Sequence, residues 1–223
     1  MADFTIILGN KNYSSWSLRA WLMLEACGAD YDEVVIPLHQ PDTKSAIRAH
    51  TPSGRVPALK HGELVVWDSL AIGEYLAERF PEAGLWPADP AARARARSIC
   101  AEMHAGFPAL RENLPMDLRS RLPGQGLKAH GVAADIMRIA EIWEVCRQEF
   151  GRAGDFLFGG FGIADAFFAP VVGRFVTYGV ALEGATAAYR DAVWSWPAMK
   201  RWRAAGEAEP WVIEQHKVQP DYD

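Results

Sequence analysis

One decapeptide limits what this chain of 223 residues can become. Residues 81–90 read PEAGLWPADP, where three prolines fix φ and withdraw backbone donors and a glycine adds backbone freedom, which together discourage any regular element. Before it, short apolar runs of strand length alternate with segments whose apolar residues recur at helical spacing. FTIIL at 4–8 reads as a buried strand, 17–26 as a helix stopped by Gly28, and YDEVVI at 31–36 as a second strand. Residues 42–49 form a short predicted helix. Segments 57–59 and 63–66 flank His61-Gly62, a hairpin signal, and 68–80 carries Leu70, Ile72, Tyr75, Leu76 and Phe80 at helical period. The order βαβαββα predicts a small mixed sheet with helices packed on it. Beyond the decapeptide no strand pattern recurs. Helices are predicted over 91–114, 128–150, 163–178 and 197–205, hence a helical bundle. The expected division is a first domain over 1–80, a linker over 81–90 and a helical domain over 91–223.

The formal net charge of −5 argues against a general binder of nucleic acid or anionic membrane, since such partners are held by Lys and Arg against phosphates. Arg93, Arg95 and Arg97 alternate with alanine and read as a solvated helix face. Cys27, Cys100 and Cys146 are odd in number, widely spaced and free of any CxxC, so neither a disulfide framework nor a metal site is expected. With no secretory leader, the expected compartment is the cytoplasm. No run approaches the roughly 18 apolar residues that span a bilayer, so no membrane partner is expected.

Chemistry concentrates in three short stretches of the first half. Residues 12–24 read NYSSWSLRAWLML, two serines running straight into an apolar helix. Serine is among the best N-caps, yet a hydroxyl can accept from the helix while donating its one proton to a ligand. SGRVPAL at 53–59 enters the hairpin, and WDSLAI at 67–72 opens the third helix with Asp-Ser, a good helix start.

Together these stretches resemble the glutathione-binding domain of the glutathione transferases, and GFGIADAFFAP at 160–170 resembles a helix start in that family's second domain. The SSxS run with Arg19 is most similar to the serine-type classes, the zeta class in particular. The resemblance implies an α/β thioredoxin-like N-terminal domain followed by an all-α C-terminal helical bundle. It implies glutathione as co-substrate, no metal, and a homodimer.

By that resemblance Ser14 holds the glutathione sulfur as thiolate, with Ser15 and Tyr13 as rival donors, and Trp16 beside them in the glutathione site. Val56, before Pro57, pairs with the cysteinyl backbone as an added strand does; the matching family proline is cis. Arg55 is a candidate for a tripeptide carboxylate. Ser69 and the free amides of its helix receive the γ-glutamyl carboxylate, Asp68 meets the γ-glutamyl ammonium, and His39 lies near the glycyl end. A second-substrate pocket is expected along 99–113 (ICAEMHAGFPALREN), where Met103, Phe107 and Arg111 recur at i, i+4 and i+8 with His104 beside them and Pro108 kinking the helix. Arg111 or Arg174 could take a substrate carboxylate.

Two positions depart from the zeta pattern. Trp16 stands where Cys is usual, and Gly162 stands where Ser or Thr normally caps the helix before Asp165. The expected activity is attack of an activated glutathione thiol on a small electrophile, in the manner of detoxifying transferases. Two alternatives stay open: glutathione-dependent cis–trans isomerisation of the maleylacetoacetate isomerase type, and a non-catalytic binding module.

Overall fold

A computed structural model of the chain describes residues 2–213. Its sheet has the order β2-β1-β3-β4, with β1 (Phe4–Leu8) parallel to β2 (Tyr31–Val35) and antiparallel to β3 (Ala58–His61), which pairs antiparallel with β4 (Leu64–Val66). FTIIL is apolar throughout because both of its faces are covered. Side chains alternate along a strand, so Phe4, Ile6 and Leu8 enter the main core while Ile7 meets Ile47 of α2 (Thr43–Arg48) in a smaller cluster with Ile36 and Ala58.

On the main-core side lie α1 (Ser15–Cys27) and α3 (Ser69–Arg79). Helix α1 starts at Ser14 and ends where Gly28, at φ 62°, closes it with an N–H to the carbonyls of Leu24 and Glu25. The helical part comprises α4 (Pro90–Ala105), α5 (Pro108–Asn113), α6 (Val132–Glu149), α7 (Ile163–Tyr178), α8 (Gly184–Ser195) and α9 (Pro197–Ala208). Helix α7 is buried on nearly every side and packs on both α1 and α4. One apolar core therefore runs from β1 through α7 to Trp143 and Trp202. No helix among the described residues is long and apolar enough to cross a membrane.

Two expectations change. The predicted helix over 91–114 is two helices, broken at Gly106 and Phe107, where Phe107 adopts φ 61° and ψ 48°. A residue before proline is pushed out of the α region and Pro108 has no N–H to donate, so the ladder stops there. Helix α8 is not legible in the sequence, because its buried positions are only Thr186, Tyr189 and Val193, too thin a stripe and one of them polar.

The start of α7 explains one departure noted above. The Asp165 carboxylate accepts from the Gly162 N–H (2.9 Å) and from the Leu157 N–H (3.1 Å). Gly162 has no side chain to answer it, so only the carboxylate half of a capping box is present. Glycine is required because a Cβ there would lie 2.6 Å from the Leu85 carbonyl, which accepts from the Ile163 N–H. The linker thus docks on the helix start at the expense of a capping hydroxyl.

Candidate active site

The three stretches converge. A cavity of about 550 Å³ is lined by Trp16 from α1, by Ser53, Arg55, Val56 and Pro57 from the loop before β3, by Trp67, Asp68 and Ser69 at the entry to α3, and by His104 from α4. That volume suits a small ligand. Val56 and Pro57 are joined by a cis peptide bond, as the resemblance implied. The Val56 N–H and carbonyl find no partner among the described residues. Ser53 knots the same loop, its Oγ 3.1 Å from Thr51 Oγ1 and accepting from the Arg55 N–H (3.2 Å).

At the head of α3, Asp68 Oδ1 accepts from the Leu70 N–H (2.8 Å) and Oδ2 lies 3.3 Å from His104 Nε2, bridging the two halves of the molecule. Ser69 is buried, and its Oγ has no partner. The N–H groups of Ser69 and Ala71 also lack acceptors among the described residues. A buried unsatisfied hydroxyl beside unsatisfied helix amides is rare in native proteins and marks a place for an acceptor to arrive. Replacing Asp68 by Ala is expected to lower stability by about 1 kcal/mol, mostly as a lost N-cap, because the half-exposed pair to His104 adds little. Urea denaturation measures it.

Ser14 and Ser15 are both nearly buried and are not among the residues lining the cavity. Ser14 Oγ accepts from the Ser17 N–H (3.3 Å) and donates to Ser17 Oγ (2.8 Å), which also accepts from the Gly9 N–H (2.9 Å). Ser15 Oγ has no hydrogen-bond partner among the described residues. Tyr13 turns away, its hydroxyl accepting from Arg119 Nη2 (3.0 Å). His39 is exposed on the loop after β2, at φ 59°, outside the cavity lining. Of the expected second-substrate residues only His104 lines the cavity. Met103 and Phe107 are core residues, and the helix break leaves them without a continuous helical face shared with Arg111. Arg111 folds back to donate to the carbonyls of Gly106 and Met103.

The turn at residues 10–13, which delivers the serines, is held from far away. Glu209 accepts from the N–H groups of Lys11 (2.7 Å) and Asn12 (3.2 Å), and the Trp202 indole donates to the Lys11 carbonyl (2.8 Å). Asn12 donates to Asp117 Oδ1 (2.7 Å) and accepts from the Arg119 N–H (2.9 Å). Gly206 lets α9 come this close, since a Cβ there would stand 3.0 Å from the Asn12 nitrogen. Burial raises the Glu209 carboxyl above the usual range, against the pull of these amides.

Arg19 and Arg111 lie against Trp16, and Arg174 acts electrostatically on Arg19. Arg19 is fully buried and its three nitrogens have no partner. Burial, then Arg111 and Arg174, lower its pKa below the usual arginine range. Arg174 is pushed down to about 9 by burial and by Arg111. An uncompensated buried cation costs several kcal/mol. Sequence reasoning also passed over Ser53 and Trp67 as lining residues, and over Asn12, Arg119 and Glu209. The last three carry no local signature, because their partners lie about a hundred or more positions away.

Fold and cavity define a thioredoxin-like domain whose cavity holds a backbone edge and a helix start without partners among the described residues, backed by a helical domain. Residues 13–79 match the family model for the glutathione S-transferase N-terminal domain and residues 129–205 that for its C-terminal domain. The chain belongs to the glutathione S-transferase family. It is 29% identical over 224 residues to maleylacetoacetate isomerase of Pseudomonas aeruginosa, covering 95% of each chain. It is 35% identical over 100 residues to a probable maleylacetoacetate isomerase of Caenorhabditis elegans, a match spanning 45% of this chain and 46% of that one. Among solved structures, a zeta-class maleylpyruvate isomerase shares the fold with a TM-score of 0.70 at 24% identity, over 92% of this chain and 98% of the other. A Burkholderia glutathione transferase homologue with bound glutathione does so at 0.67 and 24%, over 92% and 99%.

Proposed function

We propose that this protein binds glutathione in the cavity and lowers the pKa of its thiol for attack on a small electrophile. The observation that carries the reading is the buried, unpartnered Ser69 hydroxyl beside the open amides of α3, in the same cavity as the unpaired backbone of Val56. The γ-glutamyl carboxylate would sit on Ser69 and those amides, its ammonium near Asp68, the cysteinyl backbone against Val56, and another carboxylate near Arg55. Ser14 would hold the sulfur. A free thiol titrates near 8.5, and bringing it to about 6.5 requires roughly 2.7 kcal/mol of preference for the anion. One hydrogen bond to a charged group contributes about 1.5–3 kcal/mol, and a helix start adds about 0.3–1. The ultraviolet thiolate absorbance of bound glutathione is therefore expected to titrate about two units below the free thiol; a midpoint at the free value would overturn the reading.

A second reading, cis–trans isomerisation of a small unsaturated diacid, is favoured by the likeness to a Pseudomonas maleylacetoacetate isomerase along nearly the whole chain. There the thiolate would add to one alkene carbon, the resulting single bond rotate, and the thiolate leave with glutathione regenerated. Turnover of a maleyl acid without glutathione consumption supports this reading, and stoichiometric consumption with an aryl halide supports transfer. As the resemblance implies, the protein would act as a homodimer; sedimentation at twice the 24.7 kDa chain mass tests that.

A further inference from the structure

The Arg19 guanidinium is the polar group worst served by its surroundings among the described residues. It is 0% exposed, and Nε, Nη1 and Nη2 all lack acceptors. Its faces are covered, with Cζ 4.4 Å from the Trp16 ring centroid and 4.5 Å from that of Phe167. Stacking serves the faces of a planar cation and leaves the five in-plane N–H donors unanswered. Arginine does not escape by losing a proton. The neighbouring cations spend their own donors on carbonyls, Arg111 on Met103 and Gly106, and Arg174 on Leu114 and Pro170. The nearby carboxylates are committed, Asp68 to Leu70 and His104, and Asp135 to the Leu110 N–H. Three cations thus meet with no free anion among them.

Trp16 stands between this cluster and the cavity. It lines the cavity while covering Arg19, with the Arg111 guanidinium 5.2 Å from its ring and the His104 ring edge-on at 5.0 Å. We propose that Arg19 is a receptor for a carboxylate of the second substrate, reached from the cavity when the Trp16 indole turns aside. A guanidinium fork takes a carboxylate through two parallel bonds, and the space the indole vacates sets which acids pass. Trp16 is then a specificity-determining residue, and the bulky ring at this position has a purpose that a smaller side chain would not serve. The inference rests on the reading that both substrates meet in the cavity.

Thermal unfolding of the full chain without glutathione tests it, using maleate as probe and chloride at equal ionic strength as control. Maleate at a hundred times its Kd is expected to raise Tm by about 5–10 °C. Arg19→Met is expected to match or exceed the wild-type Tm without maleate, since an unpaired buried cation is removed, and to lose the maleate shift. Should that variant not fold, Arg19→Lys keeps the charge without the fork and is expected to bind maleate at least tenfold more weakly. Trp16→Ala opens the path and is expected to tighten maleate binding at least threefold. A maleate shift no larger than that of chloride, or one retained in Arg19→Met or undiminished in Arg19→Lys, overturns the proposal. Glutathione affinity is measured separately: a maleate shift in a protein with no affinity for glutathione would sink the glutathione reading alone, and glutathione binding without a maleate shift would sink the Arg19 inference alone.

Discussion

Ser14→Ala is expected to raise the apparent pKa of bound glutathione by about one to two units and to lower turnover at neutral pH by about ten- to a hundredfold. The range follows from the 1.5–3 kcal/mol of a hydrogen bond to an anion, at about 1.36 kcal/mol per unit. The arrangement behind Ser14 strengthens the case. Gly9 N–H donates to Ser17 Oγ, which lies 2.8 Å from Ser14 Oγ. Without ligand Ser14 gives its proton to Ser17. When a thiolate arrives both hydroxyls can rotate, so that Ser17 donates to Ser14 and Ser14 to sulfur, a chain in which each bond polarises the next. Ser15, whose hydroxyl has no partner among the described residues, is the control. Ser15→Ala should leave the thiol titration within a few tenths of a unit; if it carries the large shift and Ser14→Ala does not, the role belongs to Ser15. The loss of the Ser14 cap should lower stability by about 1 kcal/mol, too little to unfold the protein.

Asp165→Ala is expected to lower the unfolding free energy by about 3–5 kcal/mol in equilibrium denaturation. The substitution strands the Leu157 and Gly162 N–H groups inside the protein, at about 1–3 kcal/mol each, and opens a small void. The same residue carries a pH dependence whose sign is not the usual carboxylate one. Burial pushes it up from 3.8 to about 6, so folding takes up a proton between those values. Its favourable contribution is full below 3.8 and is lost as pH rises through 6. Between pH 4 and 7 wild type should lose on the order of 2–3 kcal/mol relative to Asp165→Asn. Parallel pH profiles for the two would refute the assignment.

How much of this was legible in the sequence varies with the range of the interactions involved. The alternation of FTIIL and YDEVVI with helical stretches, and the prolines of 81–90, are local signals, and the order of elements along the chain follows from them, whereas the strand order β2-β1-β3-β4 does not. The convergence of SGRVPAL and WDSLAI on one cavity was legible through resemblance, since spacing alone says nothing about which loops meet. The stripe of Met103, Phe107 and Arg111 misled because periodicity assumes an unbroken helix, while Gly106 and the residue before Pro108 break it. Ser14 illustrates a subtler limit: its capping role was readable, but its bond to Ser17, and through it to Gly9, depends on how the first strand meets the helix. Arg19 entered the sequence reading only as part of the SSxS motif, and only packing reveals that nothing answers it.

The tie between Glu209 and the amides of Lys11 and Asn12 spans 198 and 197 positions. During synthesis the serine-bearing turn is made long before the carboxylate that steadies it. A translation product interrupted after the first sheet is expected to lack a steadied serine turn however well its strands have paired. Order in that turn would then wait on a helix made far later in the chain.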